Sequence, residues 1–105
     1  MIVYRKSIEL VRLIQALESE LRAKDRELAE QLHRAVRSIV LNIAEGRSQR
    51  GRRKTNHFAI ALGSGRETHA CLELAAALRL VGTSSLAAPL SLSDEIQAML
   101  YRLSR

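Results

Sequence analysis

Five basic side chains lie within eight residues near the middle of the chain: Arg47, Arg50, Arg52, Arg53 and Lys54, in the run RSQRGRRK. We call residues 47–54 the basic segment; it contains no acidic residue. The chain has 17 basic and 11 acidic residues, so without these five the numbers would be 12 and 11. Because the excess charge is local, it predicts a binding site for phosphate or another anion. The alternative is a solvated turn between helices, because basic runs are common on protein surfaces.

The other chemically reactive side chains do not form a recognisable catalytic or metal motif. His69 and the single cysteine, Cys71, are two residues apart and would point in different directions on a helix. We expect the cysteine to be packed and His69 to be hydrogen-bonded or paired with Glu73. The spacing from Arg52 to His57 matches the Arg–His spacing of the helical HEPN ribonucleases, but two further Arg–His pairs in the chain match it as well. We therefore expect no enzyme, no metal and no cofactor.

Length and composition favour one small helical domain over residues 1–105. Leu, Ala, Glu and Arg dominate, Trp is absent and there is one Pro, which is typical of an all-α protein. One cysteine cannot form an intrachain disulfide. No apolar run reaches the length of a signal peptide or a membrane span, so we expect a cytoplasmic protein with no membrane contact.

Apolar residues recur at helical spacing in four stretches and predict four amphipathic helices. The first covers Val3–Leu21, the second Leu28–Ile43, the third about Arg52–Val81, and the fourth starts near Ser91. We place a turn at residues 22–26, where Asp25 could cap the second helix. Short connections between four helices predict an antiparallel up-down-up-down four-helix bundle.

The other helix boundaries are predicted from glycine, proline and capping residues. Gly46 is a plausible C-terminal cap of the second helix, so the basic segment falls in the turn between helices two and three. Gly82 and the following TSSLAAP stretch should end the third helix. Ser91 and Asp94 resemble a capping box that opens the fourth.

Gly63 and Gly65 lie inside the third helix, where each costs roughly 1 kcal/mol relative to Ala. The functional interpretation is an oligomer interface, in which a second helix approaches these shallow positions. The alternative is a kink or tight packing within the chain. We favour the interface, because wide apolar arcs on the first three helices would otherwise stay unburied.

Two polar residues precede the basic segment on the second helix. Glu45 would lie in the last turn, where the helix dipole disfavours an anion. A nearby cation such as Arg47, Arg50 or Arg53 would reverse that effect, so we interpret Glu45 as an organiser of the basic turn. Asn42 could hydrogen-bond across helices or hold the backbone of the turn.

The run Asn42-Ile43-Ala44-Glu45-Gly46, with Ser38-Ile39 before it and Ile60-Ala61-Leu62-Gly63-Ser64 after it, resembles a known family. That family is the bacterial four-helix-bundle family first noticed as proteins encoded in intervening sequences of 23S rRNA genes. Asn42, Glu45 and Gly46 are matched positions, and the basic segment is matched as a region. The sequence departs from the family pattern at Gly65, where a leucine is usual, and at Val40, where a proline is frequent.

This resemblance implies a closed four-helix bundle that assembles into a ring-shaped homopentamer. One relative is an accessory subunit of a retroelement reverse transcriptase and binds nucleic acid through a basic surface, so RNA or DNA and a reverse transcriptase are implied partners. The leading hypothesis is therefore a non-enzymatic, homo-oligomeric protein that binds nucleic acid through the basic segment. The second hypothesis is a protein-binding scaffold with no nucleic-acid activity. A helix-turn-helix DNA reader is disfavoured, because the third helix is too apolar and contains glycines.

Overall fold

The computed structural model describes residues 1–105. It contains four helices and no strand: α1 Ile2–Lys24, α2 Arg26–Arg47, α3 Gly51–Ala77 and α4 Thr83–Leu103. The connections are Asp25 alone, residues 48–50 and residues 78–82. Each helix packs against its neighbours in the chain, and α1 also packs against α4, which closes the bundle. The predicted all-α four-helix bundle is confirmed.

The predicted apolar seams form one continuous core along the long axis of the molecule. The bundle measures 43 × 21 × 19 Å, and its length matches the roughly 40 Å expected of the 27-residue α3. Every helix contributes side chains that are almost fully buried, and burying each of these stabilises the fold by about 1.5–3 kcal/mol. The largest of them include Leu10, Leu21, Leu32, Ile39, Phe58, Leu72, Ile96 and Leu100.

The tight connection between α1 and α2 depends on Asp25. Its side chain accepts a hydrogen bond from the Leu28 backbone N–H at 3.0 Å, which is the capping interaction expected of it. Beside it, Arg22 donates to Glu18 at 2.8 Å and lies 3.5 Å from Glu30. These acceptors, chiefly the hydrogen bond to Glu18, raise the pKa of the exposed Arg22 guanidinium. This end of the bundle therefore neutralises most of its own charges.

Two predicted helix ends were wrong. Gly46 does not end α2, which continues to Arg47. The third helix ends at Ala77 rather than at Val81, and the residue that reverses the chain is Arg79, with φ 56°. The Leu80 N–H bonds to the Ala75 carbonyl at 2.9 Å and the Arg79 N–H to the Ala76 carbonyl at 3.1 Å, which is the pattern of a Schellman motif. The motif satisfies carbonyls at the helix end, so Gly82 is not needed as a cap.

The predicted start of the fourth helix was also wrong. Helix α4 begins at Thr83 and contains Pro89, so Ser91 and Asp94 lie inside the helix and do not form a capping box. Proline inside a helix costs about 3 kcal/mol. However, Leu86, Pro89, Leu92, Ile96 and Leu100 are all buried along one face of α4. Burial of this apolar face outweighs the local cost of the proline.

Candidate nucleic-acid interface

The basic segment covers the end of α2, the connection to α3 and the first turn of α3. Arg47 is the last residue of α2, and Arg50 is the extended N-cap of α3 with φ −130°. Gly51 follows with φ 58°, a conformation that a glycine adopts with little strain. The chain therefore reverses within a few residues, and Arg52, Arg53 and Lys54 enter α3 directly beside the end of α2.

The five cations of the basic segment have no acidic partner in the protein. All ion pairs within 4.0 Å involve other residues, mostly at the opposite end of the bundle. Arg50, Arg52 and Arg53 are exposed, and Lys54 is half-buried. The guanidinium carbon of Arg47 lies 4.1 Å from the centroid of the Tyr4 ring, so this cation is positioned by α1. The segment can therefore offer its charge to an external anion.

Glu45 does not organise these cations as predicted. Its side chain accepts a hydrogen bond from the Gln49 amide at 3.1 Å, and no Arg or Lys nitrogen lies within ion-pair distance. The helix-dipole argument predicted a nearby cation, but the hydrogen-bond partner of Glu45 is the neutral amide of Gln49. The arginines are consequently left free.

Behind the basic segment, a chain of polar side chains joins α2 to α3. The Asn42 amide nitrogen donates to the Ser38 carbonyl at 3.0 Å, and its oxygen lies 3.1 Å from Nδ1 of His57. The hydroxyls of Ser38 and Ser64 are 2.7 Å apart. Asn42 thus makes the kind of cross-helix bond expected of it, whereas His57 was considered in the sequence only for its spacing from Arg52.

Gly46 is a close-approach position between these two helices. A Cβ atom at Gly46 would lie 3.1 Å from Cβ of His57 and 3.2 Å from Cε1 of Phe58. Both distances are shorter than an ordinary van der Waals contact. The absence of a side chain therefore lets α2 and α3 pack closely just behind the basic segment.

The two glycines predicted at an oligomer interface have different surroundings. Gly65 is buried, and a Cβ there would lie 3.2 Å from Cγ of Gln97 in α4. Its lack of a side chain thus serves packing within the protomer, which was the alternative interpretation. Gly63 is exposed and has open space around it, so an interface stays a prediction for this position.

Three further arginines lie at the same end of the bundle as the basic segment. Antiparallel helices bring the start of α1 and the end of α4 to this end, as the contacts Arg47 to Tyr4 and Lys6 to Glu95, at 2.7 Å, show. The three arginines are exposed and form no ion pair: Arg5, Arg102 and Arg105. We call these three together with the basic segment the basic end. Sequence reasoning missed them because they become neighbours only through the topology.

The histidine and cysteine of the middle of α3 are structural. Nδ1 of His69 lies 3.2 Å from the Ser93 hydroxyl, and its Nε2 lies 3.9 Å from Glu73. Cys71 is buried, and burial, with a smaller effect of Glu67, raises the pKa of its thiol. No group of three or more His, Cys, Asp or Glu side chains could hold a metal ion. None of the helices combines the length and apolar character required to span a membrane.

The fold and the site together define a small antiparallel four-helix bundle with an unpaired cationic end. Comparison with known families gives a more particular result. The sequence model of the 23S rRNA-intervening sequence protein family matches residues 1–102, and the chain belongs to this family. No curated protein matches the chain significantly.

A solved structure gives the same result for the fold. The chain is similar to a protein described as having unknown function, from the S23 ribosomal protein family of Bacteroides thetaiotaomicron. The two chains share 27% sequence identity, the similarity covers 98% of each, and the TM-score is 0.88. The family resemblance, which rests in the sequence on motifs between Ser38 and Ser64, is thus confirmed over nearly the whole chain.

Proposed function

We propose that this protein is a non-enzymatic, homo-oligomeric bundle that binds nucleic acid by phosphate contacts at its basic end. The observation that carries the proposal is the gathering of free cations: the basic segment has no ion pair, and the topology adds three more unpaired arginines. A cationic surface of this kind raises the local concentration of polyanions. The rRNA-linked family agrees with RNA as one such polyanion.

The local backbone favours an anion at the same place. The N-cap residue Arg50 makes no side-chain cap, so the first N–H groups of α3 keep no side-chain acceptor. The positive end of the helix dipole adds to their attraction for phosphate.

The site offers few surfaces on which bases could stack. Phe58 is buried in the core, and Tyr4 lies beneath the Arg47 guanidinium. The exposed ring at this end is Tyr101, and the Arg105 guanidinium lies 5.3 Å from its centroid. Sequence-specific reading of single strands depends strongly on such stacking. We therefore expect the protein to bind the phosphate backbone with little preference for sequence.

The salt dependence of binding tests the proposal. If the five cations of one protomer's basic segment contact phosphates, log affinity should fall with log salt with a slope of roughly −3.5 to −4.5. This corresponds to a loss of about a hundred- to five-hundredfold between about 50 and 200 mM salt. Fluorescence anisotropy with a labelled oligonucleotide measures it, and a slope near zero would exclude phosphate binding.

A matched pair of triple variants shows whether the position of the charge matters. Replacing Arg50, Arg52 and Arg53 with Ala should make the slope shallower by roughly 2 to 3 and weaken binding strongly. The control removes three exposed arginines that also lack ion pairs but lie outside the basic end: Arg34, Arg37 and Arg66. Both variants have the same net charge. Equal losses of affinity would indicate a nonspecific effect of net charge and not a site.

The oligomer is part of the proposal, and exposed apolar residues support it. Leu41, Ile60, Leu74 and Leu78 are each 45% or more exposed in the protomer. Family resemblance implies five copies, which would multiply the basic ends on one particle. Native mass spectrometry should give a multiple of the 11.7 kDa protomer, and a pure monomer at micromolar concentration would remove this part of the proposal.

The alternative function is a protein-binding scaffold, for example for a reverse transcriptase, and it rests on the face around Leu41. This side chain is 62% exposed and borders a hollow of about 230 Å³ that Ile8, Val11 and Val40 also line. Leu41→Asp should abolish binding of a protein partner under this alternative. The arginine triple variant would then keep that binding.

A further inference from the structure

The ring of His57 lies directly behind the basic segment and is held in one orientation. Arg53 and Lys54 precede it by four and three residues on α3, and such residues share one helix face. We propose that His57 is an additional phosphate-binding residue, which binds when protonated and makes nucleic-acid binding stronger at lower pH. This inference rests on the proposed function and adds a regulation of the same site.

The hydrogen bonds around Asn42 determine which ring nitrogen is free. Its amide nitrogen donates to the Ser38 backbone carbonyl, which can only accept, so the amide oxygen must face His57. Nδ1 of His57 lies 3.1 Å from that oxygen and therefore carries a hydrogen. Nε2 is the nitrogen left for an external ligand.

Nε2 can be reached from the solvent. It has no hydrogen-bond partner in the protein. Because every buried side-chain nitrogen and oxygen does have a partner, Nε2 is not fully buried. Helical side chains incline toward the N-terminus of their helix. The His57 ring therefore inclines toward the turn that carries Arg53 and Lys54.

A proton on Nε2 changes what this ring can do for a phosphate. With hydrogen on Nδ1 alone, Nε2 presents a lone pair and cannot donate to an anionic oxygen. A second proton converts Nε2 into a donor and gives the ring a positive charge. Histidine is the side chain that ordinarily changes charge between about pH 5 and 8, which makes this contact dependent on pH.

The charged groups around His57 make protonation and phosphate binding cooperative. On its own helix, Arg53 and Lys54 oppose a further positive charge. On α2, which packs against the ring through Asn42 and Gly46, the nearby acid is Glu45, and its carboxylate is held by Gln49. A bound phosphate would offset the cations. By linkage, the proton strengthens phosphate binding by the same factor by which phosphate strengthens proton binding.

Anisotropy titrations with labelled oligo(dT) at about pH 5.5 and pH 8.0 test this inference, because thymine does not titrate in that range. Wild type should bind about three- to tenfold more tightly at the lower pH. Its salt slope there should be steeper by about 0.7, since one more phosphate is contacted. His57→Gln, which replaces the ring with a neutral side chain that does not titrate, should lose both differences. His69→Gln, on the same helix but bonded to Ser93, should keep them.

The possible results separate the two proposals. An equal pH dependence in wild type and His57→Gln would overturn the role of His57 and leave phosphate binding intact. Absence of binding at every pH and salt concentration would instead remove the proposed function.

NMR of wild type gives a readout that needs no variant. The titration midpoint of the His57 ring should rise by about half to one pH unit with saturating oligo(dT), the linkage equivalent of the affinity change. An unchanged midpoint would also overturn the inference.

Discussion

The close approach of α2 and α3 at Gly46 should make this position intolerant of even one methyl group. In Gly46→Ala, the new Cβ would lie 3.1 Å from Cβ of His57, 3.2 Å from Cε1 of Phe58 and 3.4 Å from the Lys54 carbonyl oxygen. His57 Cβ and the Lys54 carbonyl are fixed to the backbone of α3, and Phe58 is 1% exposed. None of these atoms can move aside as the end of a flexible side chain could, so the helices must separate by a few tenths of an ångström.

Two opposing effects determine the magnitude. Overpacking typically costs about 1 to 3 kcal/mol. The better helix propensity of Ala returns up to about 1 kcal/mol, because Gly46 lies within α2. The net loss should therefore be about 1 kcal/mol, which lowers the melting temperature of a domain of this size by about 4 to 8 °C.

Gly63→Ala is the matched control for this measurement. It makes the same substitution in α3, but no atom lies within 4 Å of the new Cβ. Within the protomer, only the gain in helix propensity remains, so the melting temperature should rise by several degrees. Thermal unfolding followed by circular dichroism compares the variants. A Gly46→Ala protein at least as stable as Gly63→Ala would refute the close-packing argument.

Substitutions at three further positions test other local features. Asp25→Ala removes the oxygen that accepts the hydrogen bond from Leu28 N–H, so it should lower the free energy of unfolding by about 1 kcal/mol. Asp25→Asn keeps an acceptor and should have nearly the stability of wild type. Arg79→Gly should relieve backbone strain at this left-handed residue, which has φ 56°, and raise the free energy of unfolding by about 1 kcal/mol. An unchanged melting temperature would argue against strain at this position. Burial raises the pKa of the Cys71 thiol, so the folded state favours its protonated form. The stability that the protonated thiol contributes is complete below the pKa of Cys71 in the unfolded state and is lost as the pH rises through its pKa in the folded state. Urea denaturation above about pH 9 should therefore show a loss of stability that Cys71→Ala lacks.

The sequence predicted the helices well because the apolar residues buried on one face of a helix recur in the sequence with the helical period. Leu10, Ile14, Leu17 and Leu21 are spaced for one face of a helix, and the structure buries all four. Helix ends are harder to predict from the sequence, because capping residues and helix breakers act locally and tertiary packing can override them. Pro89 is the clearest case, since its position on the buried face of α4 keeps it inside a helix that local rules would have ended.

The partner of a polar side chain is harder to predict than the need for one. The position of Glu45 near the end of α2 predicted a nearby cation, and several arginines were close in sequence. Gln49, four residues later, supplies the donor instead. Ion pairing with a long exposed arginine orders two flexible side chains for little gain, so the sequence alone does not select it over the local amide.

The topology of this fold explains how a local excess of basic residues in the sequence becomes part of a larger cationic surface. In an up-down-up-down bundle, the second connection lies at the same end as the start of the first helix and the end of the fourth. Cations placed at those three points in the sequence are therefore gathered at one end, and acids near the first connection are gathered at the other. The basic segment alone is a property of the sequence. Arg5 lies beside it because α1 and α2 are antiparallel, and Arg102 and Arg105 lie beside it because the number of helices is even. With one helix more or fewer after the basic segment, the end of the chain, with Arg102 and Arg105, would lie beside the first connection instead.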